Sequence, residues 1–229
     1  MRKLFLAVLL LSLSACAFAQ QDYVGRYDVF AGFSYLDSPK LNLTQRGFNT
    51  QIGVNVRRWL AMGFDYSTQN GNGTLVPTDL KTNLQALLPP IPGLYVPFNA
   101  TTQTFTAGPQ LAYRHLKKVT LFIHPSIGVI QEHINLEPQN AAIPYNLYGA
   151  AIVQGLVADH VLTTTSPSDH TYFYGLGGGA DFNATKHIHL RADIEFVHVF
   201  LFSDLLQNSR NSVRLSVGPT FNFGKNVSR

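Results

Sequence analysis

Three groups of side chains in this chain of 229 residues have types and spacings that could do chemistry. His124-Pro125-Ser126, followed by Glu132 or Glu137, puts a hydroxyl two residues from an imidazole with a carboxylate further on. Residues two apart on a strand share a face, and a nucleophile needs its base within hydrogen-bond reach, so nucleophilic catalysis is the chemistry such a set could serve. His187-Ile188-His189 is a second two-apart pair, but it offers two metal ligands where a site needs three or four. The third group is spread along the chain: Asp28, Arg57, Asp65, Arg114, Glu132, Asp181, Arg191, Asp193, Glu195 and Arg214. What these ten do depends on the elements that carry them.

Those elements read as strands. Phe48, Thr50, Ile52, Val54 and Val56 alternate with Asn49, Gln51, Gly53, Asn55 and Arg57, one parity apolar and the other polar or glycine. Seven further segments, near 27–35, 60–67, 104–114, 119–132, 172–183, 188–196 and 212–223, repeat the alternation, with Phe122 and Ile130 interrupting the polar parity of theirs. The links alternate in length: tight turns at Arg58-Trp59, 115–118 and 184–187, and long links at 37–47, 71–101, 134–169 and 203–210. Eight strands joined in this way predict an all-β fold, an eight-stranded antiparallel up-and-down barrel with short turns on one rim and long loops on the other.

Alternation alone does not say which face meets water. The polar parity is dominated by Gly, Ser, Thr, Asn and Gln, which fit the narrow interior of an eight-stranded barrel, whereas a water-facing surface would carry many Lys and Glu. Aromatics gather at the strand ends of the apolar parity: Tyr27, Trp59, Tyr113, Phe182 and Phe223 at the short-turn rim, and Tyr35, Phe48, Tyr66, Tyr172 and Phe200 at the other. Two such girdles mark membrane interfaces. Nine of the 17 Lys and Arg residues lie at or near the short-turn rim (Arg26, Arg57, Arg58, Arg114, Lys117, Lys118, Lys186, Lys225 and Arg229), suiting an anionic phospholipid leaflet. The apolar face is therefore assigned to lipid and the polar face to the lumen.

The start agrees. Met1-Arg2-Lys3, the apolar run from Leu4 to Leu13 and Ala17-Phe18-Ala19 have the three regions of a secretory signal, so residues 1–19 are expected to be removed. A periplasmic lead at 20–26, a barrel at 27–224 and a periplasmic tail at 225–229 complete the expected division. The only cysteine, Cys16, lies inside the signal; Leu13-Ser14-Ala15-Cys16 also has the form of a lipid-attachment site, although a spanning barrel is held without acyl chains. The mature chain then has no disulfide, cysteine ligand or thiolate catalyst. The composition, 45% hydrophobic and 13% charged, fits one domain, and nothing in the sequence points to a cofactor or to nucleic acid.

The opening Tyr27-Asp28-Val29-Phe30-Ala31-Gly32-Phe33-Ser34-Tyr35, the turn Arg57-Arg58-Trp59-Leu60, the run Tyr174-Gly175-Leu176-Gly177-Gly178-Gly179 and the closing Leu215-Ser216-Val217-Gly218-Pro219-Thr220-Phe221-Asn222-Phe223 carry a resemblance. The chain resembles the small bacterial outer-membrane β-barrel family, the OmpA/OmpX-like eight-stranded class with an outer-membrane β-barrel domain. That resemblance implies residence in the outer membrane of a Gram-negative cell. It also implies, as a partner, the assembly machinery that reads an aromatic-ended final strand, although here Gly224 to Arg229 follow Phe223. Some relatives modify lipid A, and His124, Ser126 and Glu132 or Glu137 are similar to the His-x-Ser plus Glu set of a lipid A deacylase. However, His124 and Ser126 fall on the lumen parity, away from any lipid substrate, so no enzyme is expected.

The ten charged residues are then a lumen network. Unpaired ions in a narrow interior are costly, so they are expected to pair, with Asp181 beside His189 or Arg191. The network either plugs the lumen or lines a narrow porin-like path for small solutes; with eight strands the side chains just fill the interior, which favours the plug. The long loops are where a structural or surface-binding role for a monomer would lie, with outer-membrane lipids around the barrel and an unidentified extracellular ligand at the loops. In one of them, 78–88 reads as a short amphipathic helix capped by Thr78 and stopped at Pro89-Pro90; in another, 150–161 is unusually apolar.

Overall fold

A strand whose two edges are both paired leaves no backbone group unsatisfied in lipid, and eight alternating strands meet that condition by closing into a ring. A computed structural model describes residues 23–86, 96–136, 153–155, 157–158, 162, 164–207 and 210–227. Its strands are β1 (Gly25–Ser38), β2 (Leu43–Arg57), β3 (Leu60–Leu75), β4 (Val96–Tyr113), β5 (Val119–Leu136), β6 (Ser168–Asn183), β7 (Ile188–Val199) and β8 (Arg210–Asn226). They close in chain order, and β1 pairs with β8 antiparallel from Tyr27↔Phe223 to Asp37↔Val213. The expected architecture is the observed one.

The strands run further than the alternation suggested. The link expected at 37–47 contracts to a 3-10 turn at Pro39–Leu41, closed by Asn42 at φ 46, in the left-handed region that asparagine tolerates. β3 reaches Leu75, β4 begins at Val96, β5 reaches Leu136 and β6 begins at Ser168. At the other rim the ring spans 25–226 rather than 27–224: Lys225 and Asn226 belong to β8, and the Val227 amide donates to the Val24 carbonyl at 2.8 Å. The expected signal segment lies outside the described residues.

The inside–outside alternation continues unbroken into the loop ends of β4 and β5, yet the polarity of the two faces exchanges there. Lower down, β4 turns Thr102, Thr104, Thr106 and Gln110 inward and Phe105 and Leu111 outward. Above Thr102 the inward residues are Ala100, Phe98 and Val96, while Asn99 and Thr101 face out and bond to Asn70 and Asn72 of β3. In β5 the change falls between Ile127 and Val129, which face out, and Ile130, Ile134 and Leu136, which are buried inside. The β3–β4 register is continuous through this zone, so the outer solvent has changed and the strand has not slipped. That exchange explains why the strands read short from sequence.

The belt below it is apolar outward to a degree that water would not tolerate. Ile127 is 71% exposed, Phe196 61%, Leu176 59% and Phe64 58%. A continuous band of such side chains around the whole wall is the surface of a membrane-spanning barrel. Trp59, Tyr27, Tyr113 and Phe182 edge it at the short-turn rim, and Tyr172, Tyr174 and Phe200 at the other.

Candidate functional site in the barrel interior

Inside the ring the charged residues lie in three tiers. Nearest the short-turn rim, Arg191 Nε and Nη2 donate to the two Asp181 oxygens at 2.7 and 2.9 Å, from directly paired positions on β6 and β7. The same guanidinium bonds to Gln51 Oε1, lies 3.8 Å from Asp28 and stacks 4.9 Å from the Phe122 ring centroid and 5.8 Å from that of Phe30. Asn55 continues the tier, donating to Asp28 Oδ2 at 3.1 Å while its own carbonyl accepts from Arg114 at 2.9 Å. All three nitrogens of the Arg191 guanidinium are thereby used, which offsets the cost of burying the ion.

Arg214 organises the middle tier. It pairs with Glu195, its direct neighbour across β7 and β8, with Asp65 at 3.1 Å, and donates to Ser67 and Thr104 at 2.9 and 3.1 Å. The Ser126 hydroxyl donates to Glu195 Oε1, and His124 Nε2 lies 3.1 Å from Asp193. His124 and Ser126 share the inner face, as their spacing requires, but each is turned to its own carboxylate. The glycines of β6 make this space: a Cβ on Gly177 would stand 2.4 Å from the His124 ring, and one on Gly175 would stand 2.8 Å from both Glu195 and Ser126. The third tier is Arg210, which grips Glu132 with two bonds of 2.9 and 2.8 Å, while Thr102 donates to the same carboxylate and Gln45 donates to Thr102.

Nine of the ten charged residues singled out in the sequence face inward. Arg57 does not: a bulge between Asn55 and Arg57 breaks the β2–β3 register, and its side chain stands exposed on the rim. Arg210, placed by the sequence at the edge of a loop, takes its place, only 2% exposed. Parity carried two residues back from Ser212 would have found it. Of the two neighbours weighed for Asp181, Arg191 makes the contact; His189 is buried beside this tier with Nδ1 unbonded. His187 sits on the rim with Nδ1 against the Asn222 carbonyl at 2.9 Å, and no group of three His, Cys, Asp or Glu that could hold a metal occurs among the described residues.

Around and above the third tier lies an apolar cluster. Leu43, Phe98, Ala100, Ile130, Ile134, Phe173, Val197 and Val199 from the wall meet Leu41, Leu80, Leu84, Val153, Leu201, Phe202 and Leu206 from the connections. The expected helix from Thr78 is not formed: Pro77–Asp79 is a 3-10 turn with the Asp79 carboxylate accepting from the Val76 amide, and only Thr82–Gln85 (α1) is helical. Backbone pairing intervenes, since Leu80 bridges Leu206 and the Lys81 amide donates to Leu205. Pro89 and Pro90 lie outside the described residues, as does most of 150–161.

The polar cavity between the lower and middle tiers holds about 20 Å³, and the apolar one under the mouth about 70 Å³. A single water needs roughly 10–15 Å³ by the same kind of measure.

Comparison with known proteins agrees with this architecture. OprG, an outer membrane protein of Pseudomonas aeruginosa, superposes with a TM-score of 0.54 at 10% identity, covering 90% of this chain and 99% of that one. Neisserial surface protein A gives 0.48 at 13% identity, covering 86% and 96%. Ail, the attachment invasion locus protein of Yersinia pestis, gives 0.45 at 14%, covering 86% and 99%. No curated protein matches the sequence. The profile described as outer membrane protein beta-barrel domain matches residues 4–223. Matched over nearly its whole length, and built as a closed eight-stranded ring with an apolar belt, the chain belongs to the outer membrane protein β-barrel domain family.

Proposed function

We propose that this outer-membrane barrel is a non-enzymatic scaffold whose lumen is plugged and whose loop end carries a structural or surface-binding role. The observation that carries this reading is the interior itself: three tiers of paired ions with about 20 Å³ between the lower two, under an apolar layer. A path for solutes would require Arg214 to leave two carboxylates and Arg210 a third, exposing buried charge at each step. The absence of reaction chemistry rests on Ser126 and His124, whose bonds go to Glu195 and Asp193 inside the wall rather than to one another or toward lipid. Export through the 1–19 signal, folding by the outer-membrane assembly machinery and a monomeric state in outer-membrane lipid complete the reading. An unidentified ligand is assigned to the loops between β3 and β4 and between β5 and β6.

Planar-bilayer recording of the refolded protein tests it. Silence at membrane potentials where porins conduct is the expected result; reproducible long-lived pores would replace the scaffold with a conduit.

A further inference from the structure

At the short-turn rim the 184–187 turn meets the 114–118 turn, and a cavity of about 240 Å³ opens between them, lined by Tyr23, Lys117, Lys118, Asn183, Thr185 and Lys186 among others. Its walls are fixed. Asn183 donates its backbone amide to the Lys118 carbonyl at 2.8 Å and its side-chain amide to the Lys117 carbonyl at 3.1 Å, tying one turn to the other. Thr185 Oγ1 accepts from the His187 and Ile188 amides, which leaves its hydroxyl hydrogen free to donate. Tyr23 adds to the lining, its hydroxyl donating to the Gly224 carbonyl at 2.7 Å and its ring against His187.

Three lysines surround this space, and the nearby acid Asp181 is turned into the barrel and spent on Arg191. The site therefore calls for negative charge. Just above the two turns, Phe182, Leu121 and Ile188 face outward, so the cavity lies where an acyl chain would end and a headgroup begin. The volume exceeds that of a water, roughly 30 Å³, and falls just below the roughly 300–1,000 Å³ of drug-sized pockets.

We propose that this cavity is a headgroup site for an anionic phospholipid of the periplasmic leaflet, its phosphate diester held by Lys117, Lys118 and Lys186. Phosphatidylglycerol carries such a phosphate. The assignment rests on the short-turn rim facing the periplasm and is independent of the plugged lumen.

Retention of phosphatidylglycerol by full-length protein from mixed micelles, counted by native mass spectrometry, tests the site. Two triple variants with the same loss of charge are compared: Lys117→Gln with Lys118→Gln and Lys186→Gln, and Arg26→Gln with Arg57→Gln and Lys225→Gln. A direct ion pair with the bound phosphate contributes up to about fivefold per lysine, so the first triple should weaken retention more than tenfold, and the second, on the same rim but outside the cavity, less than about threefold. Free glycerol phosphate at millimolar concentration should not displace the lipid. Equal losses in the two triples would reduce the site to a diffuse basic rim, and displacement by glycerol phosphate would make it a soluble-anion site; either overturns the proposal. If the first triple lacks the heat-shifted gel mobility of a folded barrel, Lys186→Gln alone is read, with a loss of about fivefold expected and no loss contradicting the site.

Discussion

The membrane belt and the loop end of this barrel are built on the same eight strands with opposite chemistry on their faces. In the belt, Ile127, Phe105 and Phe196 face out and Arg214, Glu195 and Asp65 face in; at the loop end, Asn99, His133 and His198 face out and Phe98, Ile134 and Val199 face in. The belt is held by paired ions because its outside is already apolar, leaving the lumen as the place for polar side chains. The loop end is held as a water-soluble core is, by burying apolar surface. The ring itself carries no preference: solvent on the outside decides which parity is apolar. Arg210, Glu132 and Thr102 sit at the border between the two regimes.

That border supplies the largest expected effect. Arg210→Met leaves Glu132, which is fully buried, as an unpaired ion and should cost about 3–5 kcal/mol in urea unfolding from lipid. Adding Glu132→Met to the same chain should restore most of the loss, because Thr102 keeps its bonds with Gln45 and the neighbourhood above is apolar. If the double variant is as unstable as the single one, ion pairing is not what fills this tier.

At the loop end, Phe98→Ala should cost about 3 kcal/mol, as in a soluble core, with no change of conductance, since the tiers below are untouched. A loss below about 1 kcal/mol would mean that the apolar layer is not packed as a core.

The outer faces can be compared directly. Arginine on the lipid face of a barrel costs about 2–4 kcal/mol at depth, so Ile127→Arg should destabilise by about 2 kcal/mol or more, while His133→Arg, six residues along the same strand and face, should fall within about 0.5 kcal/mol of the parent. Similar costs at both positions would erase the distinction between belt and loop end.

Gly177→Ala probes the inner side with a smaller change. Its methyl group would meet the His124 ring at 2.4 Å, and displacing that ring from Asp193 should cost about 1–2 kcal/mol, visible as a lower unfolding midpoint at unchanged slope.

Much of this was legible in the sequence, and the misses share one cause. The strands of the belt could be read because lipid outside and a polar lumen inside give each parity a constant character. That Asp181 would lie beside His189 or Arg191 followed from facing positions on one hairpin, and the register selects Arg191. The strand extensions at 71–75, 96–101 and 134–136 were assigned to loops because polarity exchanges there without any break in register. Phe122 and Ile130, irregularities in the alternation, turn out to be inward residues, one stacked on Arg191 and the other in the apolar layer. Arg57 was misplaced because a bulge is invisible to parity counting, and the Thr78 cap failed because Leu80 was drawn into pairing with Leu206.

A cysteine scan along the outward residues of β4 tests the exchange of faces most directly, in a background where Cys16 is replaced or removed. Single cysteines at Leu111, Phe105, Thr101 and Asn99, each carrying a fluorophore, are read against quenchers attached to lipid tails and against iodide in water. The account predicts lipid quenching at 111 and 105, iodide quenching at 101 and 99, and a crossover between them with no shift of parity. Lipid quenching at all four positions, or iodide quenching at all four, would contradict it.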